Sequence, residues 1–387
     1  MVRPRVVIVS RIFPPEVSAA GGILQSWAVA FRDHDWDVRV VTTKPPPGMT
    51  PADPPGITVR RAPVLRDRDA YVRSTLGYLS FDVPLGLRLL FGPRADLYVV
   101  EPPPTTIAVV RVVAWLRRTP YLVDAADLWS DAASMVTRSG FVLRTLRRIE
   151  LWGLRGATRL LAAHEPLIRR FRELGIATPA TPIGFGADVD AFGYDGESPP
   201  EPPVFVYAGS HSEWHGAGVF VEAFAELLRR RPGARLRIIG NGSEHDALRE
   251  RAIALGIGDA VRVEPPIPPH ELSPILAGAT ASLASLKPGQ GYDYAFTTKV
   301  YSSLAAGCPV VFAGVGPTVD FLASAEPGAG VAVAYDPAAV ADALERAVDA
   351  PLPPERRAAL SRWVRAEHSL QAIAKRVVAE GRSAVSP

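Results

Sequence analysis

Short runs of β-branched residues alternate with helical patterns along the whole sequence. Residues 5–10 (RVVIVS) predict a fully buried strand, and residues 22–32 predict the helix that follows it. Further strands of the first half are predicted at residues 38–42, 57–61, 97–100 and 121–124. These runs show no internal alternation and are joined by helices, which is typical of a parallel sheet covered on both faces. The first half therefore predicts a doubly wound α/β domain.

The same pattern restarts after a polar, proline-rich stretch at residues 195–203 (DGESPPEPP), which predicts a linker. Beyond it, strands are predicted at residues 204–208, 236–240, 261–263, 281–286, 310–313 and 331–334. We expect one domain over residues 1–194 and a second over residues 204–387, with the last helix packing back on the first domain. The predicted fold class is α/β, with two Rossmann-like doubly wound domains facing a central cleft. Ligands are expected at the carboxyl ends of the strands.

The composition excludes several classes of protein. Of 387 residues, 48% are hydrophobic and 21% are charged, a balance that excludes a disordered chain. The single cysteine, Cys308, excludes a disulfide framework or a cysteine-based zinc site, and its apolar neighbours predict a packing role. The net charge of +3 comes without a basic stripe interleaved with aromatic residues, so we expect no nucleic-acid partner. The spacing of the histidines and aspartates predicts no metal site.

The sequence contains no stretch that predicts a signal peptide or a membrane span. The first apolar run stops at Arg11, and the longest apolar stretch, residues 105–115, is too short to cross a bilayer. We therefore expect a cytoplasmic protein. Residues 138–172 hold nine arginines against Glu150 and Glu165, which raises the hypothesis of a peripheral contact with the inner face of a membrane. A solvated helix that packs its apolar face inside the domain explains the same pattern.

The first strand is followed by a long loop that ends in Gly21 and Gly22 at a predicted helix start. Glycines at that position allow backbone amides to approach an anion, and an ordinary flexible loop explains the pattern equally well. The loop lacks the GxGxxG fingerprint of a dinucleotide site. The sequence also contains no P-loop and no Gly-x-Ser-x-Gly nucleophile elbow.

Three loops of the second half follow predicted strands and carry small or polar residues. They are YAGSHSEWHG at residues 207–216, GNGSE at residues 240–244 and GYDYAFTTK at residues 291–299. In the third loop, Lys299 stands beside Thr298 at a predicted helix start, and that helix ends in Ala-Ala-Gly-Cys-Pro. A lysine next to helix-start amides is suited to binding a diphosphate.

Together these segments resemble the retaining nucleotide-sugar-dependent glycosyltransferases of family four, which have the GT-B fold. The resemblance covers nearly the whole chain. It is carried by FPPE-x4-GG at residues 13–22, DLWSD at 127–131, the loops at 207–216 and 239–244, PPIPPHEL at 265–272 and TTKVYSSLAAGCPV at 297–310.

The resemblance implies roles for individual residues. Lys299, His215 and Asp127 correspond to catalytic positions, and no metal ligand is implied. Donor-binding positions fall at Gly21, Gly22, Ser210, Gly240, Gly242, Ile267, Asp293, Tyr294, Thr298 and Ser302. The first domain would hold the acceptor and the second domain would hold the nucleotide sugar. Rate would come from positioning and from stabilising the departing diphosphate.

The sequence departs from the family at several of these positions. The two glutamates of the family fall at Tyr294 and Ser302, and the arginine and lysine of its second-domain loop fall at Ser210 and His215. The histidine that many members carry before the Asp-Leu-Trp segment is Ala126 here. The charge of the donor phosphates would therefore rest on the Thr-Thr-Lys lysine, on His215 and on loop amides.

The sequence thus predicts a glycosyltransferase that moves a sugar from a nucleotide diphosphate sugar to a hydroxyl or amine acceptor, with retention of anomeric configuration. No cofactor is expected besides this donor substrate. The sequence does not identify the acceptor, for which a lipid-linked glycan and a small-molecule natural product both remain open. Loss of both glutamates supports an alternative, a catalytically weak relative acting as a binding or partner subunit. A nucleotide-sugar epimerase of the same architecture is a third interpretation.

Overall fold

The computed structural model describes residues 3–16, 19–67, 72, 75–136, 139–196 and 201–386. The chain folds into two compact units. The first consists of Met1–Gly184 and Leu370–Pro387, and the second consists of Phe185–Ser369. Among the described residues, no helix combines the length and the apolar character needed to cross a membrane.

The division of the chain differs from the predicted boundary at residue 194. Ala187, Val189 and Phe192 are buried in a hydrophobic cluster of the second unit, so the crossing between units precedes them. Composition indicated the polar, proline-rich stretch at residues 195–203 instead, of which residues 197–200 lie outside the described part of the chain. The apolar residues before that stretch are the ones that indicate where the second unit begins.

The first unit contains a seven-stranded sheet in which every pair of neighbours is parallel. Its strands and helices alternate as β1 (Arg5–Val9), α1 (Ala19–Asp33), β2 (Asp37–Thr43), β3 (Ile57–Ala62), α2 (Thr75–Phe91), β4 (Leu97–Val100), α3 (Pro104–Arg117), β5 (Tyr121–Ala125), α4 (Trp129–Val136), α5 (Gly140–Arg155), β6 (Arg159–Ala162), α6 (Glu165–Glu173) and β7 (Ala180–Pro182). The strand order is β3-β2-β1-β4-β5-β6-β7. Strands β1 to β5 were predicted from the sequence, whereas β6 and β7 were not.

The second unit repeats this arrangement with six parallel strands. Its elements are β8 (Val204–Ala208), α7 (Gly218–Arg230), β9 (Arg235–Ile239), α8 (His245–Ala254), β10 (Val261–Glu264), α9 (Pro269–Gly278), β11 (Ala281–Leu286), α10 (Lys299–Ala305), β12 (Val310–Gly314), α11 (Pro317–Ser324), β13 (Gly330–Val333), α12 (Pro337–Asp349) and α13 (Pro354–Glu367). The strand order is β10-β9-β8-β11-β12-β13. Both units are doubly wound α/β folds, as predicted.

The last helix, α14 (Leu370–Val385), belongs to the first unit. It packs against α1, and its apolar face joins the core that covers one side of the first sheet. Gly381 allows the close approach, since a Cβ there would lie 2.8 Å from a ring carbon of Phe31. The buried residues of α14 in this core are Ile373, Ala374, Val377 and Val378.

The strand order reverses once in each sheet, between β1 and β4 in the first and between β8 and β11 in the second. In open α/β sheets the crevice at such a reversal, beyond the carboxyl ends of the strands, is where ligands bind. The residues that follow these four strands are therefore the ones expected to bind ligands.

A buried arginine joins α13 to the core of the second unit. Arg357 has no exposed surface, and its guanidinium donates to the carbonyl oxygens of Leu352, Ala277 and Ala279 at 3.2, 2.8 and 2.6 Å. Cys308 lies in the same region, and burial raises the pKa of its thiol to about 12, which fits the predicted packing role.

Replacement of Arg357 by leucine should destabilise the second unit by about 3 kcal/mol or more, because each buried carbonyl left unsatisfied costs about 1–3 kcal/mol. Denaturant unfolding followed by circular dichroism measures the loss. The matched control is Arg356→Leu, which changes an exposed neighbour on the same helix. Equal stability of the two variants would contradict this role for the buried guanidinium.

Candidate active site

Lys299 crosses from the start of α10 to the end of β8. Its Nζ donates a hydrogen bond of 2.7 Å to the hydroxyl of Tyr207 and lies 4.0 Å from the centre of that ring. The backbone after β8 leaves room for the lysine stem at Gly209, where φ is +147° and a Cβ would lie 2.8 Å from the Cε of Lys299. The structure therefore places the predicted lysine at the reversal point of the second sheet.

The Lys299 ammonium has a hydroxyl partner, and no carboxylate pairs with it in the part of the chain that the structure describes. The Tyr207 hydroxyl donates to the carbonyl oxygen of Ser210 at 2.8 Å, so its lone pairs face the lysine. Burial lowers the pKa of Lys299 to about 7. An enclosed ammonium without a counterion gains most from a bound anion, because its own desolvation is not compensated within the protein.

His215 does not carry the positive charge expected of it. Its Nδ1 lies 2.6 Å from the hydroxyl of Ser212, and its carbonyl oxygen accepts a hydrogen bond from Ser285 at 2.6 Å. Burial, together with the nearby charge of Lys299, lowers the pKa of the imidazole to about 3. His215 is therefore neutral at physiological pH and offers a single N–H, so of these two residues only the lysine supplies positive charge.

A pair of histidines lies beside the same loop and was not selected from the sequence. The Nδ1 atoms of His211 and His245 are 3.1 Å apart, and the two rings are stacked with centroids 5.1 Å apart. Burial and the neighbouring His245 lower the pKa of His211 to about 4. His211 lies in the loop after β8, and His245 begins α8, the helix that follows β9, so their positions after central strands were the available signal.

Gly240 and Gly242 fit two strand-end loops against each other. A Cβ on Gly240 would lie 1.9 Å from the carbonyl oxygen of Gly209, and a Cβ on Gly242 would lie 2.5 Å from that of His211. Both glycines have φ near +150°, a conformation that side chains disfavour. The nearest atoms at both positions belong to the protein backbone. Ile267, in the predicted base-binding loop, is partly buried against the core.

The loop before α10 is held by its own residues. The Asp293 carboxylate accepts from the backbone amide of Gly289 at 3.0 Å, which closes the turn. The ring of Tyr294 packs on that of Tyr292, with centroids 5.1 Å apart. Thr298 lies exposed at the helix start and Ser302 is half-buried one turn further on. The two positions where the family has glutamates thus carry no acid.

Carboxyl groups collect at the corresponding edge of the first sheet. Glu101 directly follows β4 and accepts a hydrogen bond of 3.1 Å from the hydroxyl of Ser10, which directly follows β1. Burial raises the pKa of Glu101 to about 8 and that of Asp124 to about 7. The charge of Asp127, the predicted catalytic residue, adds to both increases. The structure thereby brings Asp127 together with two carboxyls that the sequence analysis had not selected.

A buried arginine lies at the same edge. Arg11 is 6% exposed, its guanidinium carbon lies 4.3 Å from the centre of the Tyr78 ring, and its Nε has no hydrogen-bond partner among the described residues. Its charge lowers the pKa of Glu101 against the effect of burial. Gly21 and Gly22 lie inside the first turn of α1, which begins at Ala19, so the predicted glycine loop ends earlier than expected.

Two family models match the chain, one on each unit. A family model described as glycosyl transferases group 1 matches residues 202–350, and one described as glycosyl transferase 4-like domain matches residues 20–186. The two matches fall on the second and the first unit respectively. The chain therefore belongs to the glycosyltransferases of this family, as its motifs indicated.

A curated relative and two solved structures illustrate the similarity. A D-inositol 3-phosphate glycosyltransferase of Frankia alni is 34% identical over 193 residues, which are 48% of this chain and 46% of that protein. The chain thus matches less than half the length of this relative. A sucrose-phosphate synthase from Thermosynechococcus elongatus has a TM-score of 0.75 at 17% identity, covering 98% of this chain and 99% of that one. The Anabaena protein HepE in complex with UDP-glucose has a TM-score of 0.69 at 15% identity, with the same coverage of both chains.

The low pKa of Lys299 predicts proton uptake on binding a nucleoside diphosphate. In the protein without a bound ligand, Lys299 is mostly neutral at pH 8 because its pKa is about 7. A bound diphosphate stabilises the charged form of the lysine. Binding of UDP at pH 8 should therefore take up nearly one proton, whereas binding at pH 6 should take up little through this group. Calorimetry in two buffers with different ionisation enthalpies measures the number of protons taken up on binding. The uptake at pH 8 should disappear in Lys299→Met, and uptake unchanged in that variant would exclude Lys299 as the group that titrates.

Proposed function

We propose that this protein transfers a sugar from a nucleotide diphosphate sugar to a hydroxyl-bearing acceptor. The observation that carries the proposal is the ammonium of Lys299, enclosed at the reversal point of the second sheet without a carboxylate partner among the described residues. In a chain of a glycosyltransferase family, a diphosphate leaving group is the anion that fits this position.

The donor diphosphate is assigned to the edge where β8 ends. Lys299 would neutralise the charge that develops as the sugar–phosphate bond breaks, and the neutral His215 would contribute one hydrogen bond. UDP-sugars are the first donors to test, since HepE, which shares the fold, was solved with UDP-glucose. Retention of anomeric configuration is part of the proposal, in line with the motifs of the family.

Lys299→Ala should lower turnover by on the order of 10²-fold or more, the usual cost of deleting a preorganised group that stabilises transition-state charge. The assay follows release of nucleoside diphosphate from a panel of nucleotide sugars. Lys375→Ala is the matched control, because it removes an exposed lysine of α14. Equal rates in the two variants would contradict the assigned role of Lys299.

The same panel separates the alternatives. Tight binding of a nucleotide sugar without turnover would identify a catalytically weak relative, for which the missing acids at Tyr294 and Ser302 would be the reason. Isomerised sugar would identify an epimerase. Transfer with the anomeric configuration retained, read by proton NMR of the product, supports the transferase, and inversion would contradict that part of the proposal.

The acceptor is assigned to the edge where β1 and β4 end. Weakly acidic carboxyls such as Glu101 and Asp124 are suited to hydrogen bonds with sugar or polyol hydroxyls. Arg11 is buried and its Nε has no hydrogen-bond partner among the described residues, so it would bind an anionic group of the acceptor. A phosphorylated polyol combines both features, and the Frankia relative is named for such an acceptor.

Arg11→Gln should raise the KM for D-inositol 3-phosphate on the order of tenfold and leave the KM for myo-inositol nearly unchanged, because only the first acceptor has an anion for the guanidinium. Transfer rates with a fixed donor give both constants. Arg11→Lys retains the charge and should restore part of the preference for the phosphorylated acceptor. Equal effects on both acceptors would contradict the assignment, and transfer to neither would exclude a phosphorylated polyol of this type.

A further inference from the structure

The helices α2, α3 and α5 carry most of the exposed apolar side chains of the protein. Of sixteen large apolar side chains that lie exposed in the described residues, eleven belong to these three helices. α2 packs against α3, and α3 packs against α5, so their outward surfaces are neighbours. We call the eleven the apolar face: Leu76, Leu79, Val83, Leu87, Phe91, Val112, Trp115, Leu116, Phe141, Val142 and Trp152.

The apolar face is organised along each helix. On α2 its residues recur every three or four positions from Leu76 to Phe91, which aligns them in one stripe. Phe91 is 79% exposed and Trp115 is 77% exposed, so neither ring packs against its own unit. A continuous exposed surface of this kind is typical of a site that contacts another apolar body.

The exposed charges carried by these three helices all have one sign, and among their arginines Arg147 forms an ion pair with the buried Asp131 of α4. Asp82 and Glu150 are the acids of these three helices, and they are 1% and 2% exposed, so no carboxylate of the helices reaches solvent. Their arginines are Arg88, Arg111, Arg117, Arg144, Arg147, Arg148 and Arg155. Helical spacing places Arg144 and Arg148 on the side of α5 that also carries Phe141 and Trp152.

A cavity of about 510 Å³ continues the surface at the end of α2. Arg88 and Phe91 line it from the helix, and Arg39 and Arg60 line it from the sheet. The hydroxyl of Tyr98, also in its wall, is buried and has no hydrogen-bond partner among the described residues. Although Arg39 lies 3.9 Å from Asp37, the cavity adds the guanidiniums of Arg60 and Arg88 and the Tyr98 hydroxyl beside the apolar face, which suits the phosphate of a lipid headgroup.

We propose that the apolar face docks on the surface of a bilayer that contains anionic lipids. Leucine and aromatic side chains enter the boundary between headgroups and acyl chains, while arginines pair with lipid phosphates, so the two parts of the surface act together. A second copy of the chain would set these arginines against their own equivalents, which disfavours self-association through this face.

The docking surface overlaps the arginine-dense segment, residues 138–172, only through α5. Arg170 and Arg172 of α6 form ion pairs with acids, at 3.2 Å to Asp131 and at 3.5 Å to Glu165. Eight of the eleven residues of the apolar face come from α2 and α3, which that segment does not include, and the other three come from α5, which it does include.

Vesicle flotation tests the proposal with the whole protein. The wild-type chain should float with vesicles of phosphatidylcholine mixed with phosphatidylglycerol, and binding should fall with added salt and with vesicles of phosphatidylcholine alone. Two double variants should each weaken vesicle binding on the order of tenfold or more. One combines Phe91→Ser with Trp115→Ser, and the other combines Arg88→Glu with Arg148→Glu. Because these side chains are exposed, circular dichroism and thermal unfolding should match the wild type.

Ile253→Ser is the matched control, since Ile253 is 66% exposed on α8 of the second unit. Loss of flotation in both double variants but not in this control supports the proposal. Absence of wild-type flotation with the anionic vesicles overturns it. A wild-type dimer in solution that Phe91→Ser dissociates, with flotation unaltered, would assign the face to a second copy and also overturn it.

Discussion

Parallel strand pairing is the constraint on which the architecture of this protein depends. Two parallel neighbours cannot be joined by a short turn, so each strand must be followed by a crossover, usually a helix. The crossovers cover both faces of each sheet and bring all carboxyl strand ends to one edge. The polar residues that matter most in each unit, Lys299 near β8 and Glu101 after β4, lie at these edges because the rest of each sheet is buried in apolar packing.

The two edges differ in their chemistry. The second unit offers an enclosed ammonium held by a tyrosine hydroxyl and surrounded by neutral histidines. The first offers protonatable carboxyls beside a stacked guanidinium. The edge of the second unit suits an anionic leaving group, and the edge of the first unit suits a hydroxyl-rich acceptor. The proposed sugar transfer requires both kinds of site.

Much of the fold was predictable because buried parallel strands leave a strong local signal. The runs at β1, β5, β8 and β11 are mostly apolar and do not alternate with polar residues, and their identification needed no tertiary information. β7 spans three residues and is at most half-buried, so its sequence does not stand out. Lys299 was predictable from its motif. Tyr207 was not selected, because its part in holding the lysine depends on a contact between residues 92 positions apart. The neutral state of His215 likewise depends on burial and on Lys299, which local sequence does not reveal.

The position of α14 has a consequence for the order in which the molecule assembles during synthesis. Its residues Ile373, Val377 and Val378 close the core around Phe31 and Trp27, which are translated more than 300 residues earlier. The second unit, Phe185–Ser369, is continuous in sequence and holds all of its own strands once it has left the ribosome. The unit that begins first is therefore the one whose core is completed last. Until then the outward side of α1 remains open to solvent, and a nascent chain in that state is a substrate for chaperones.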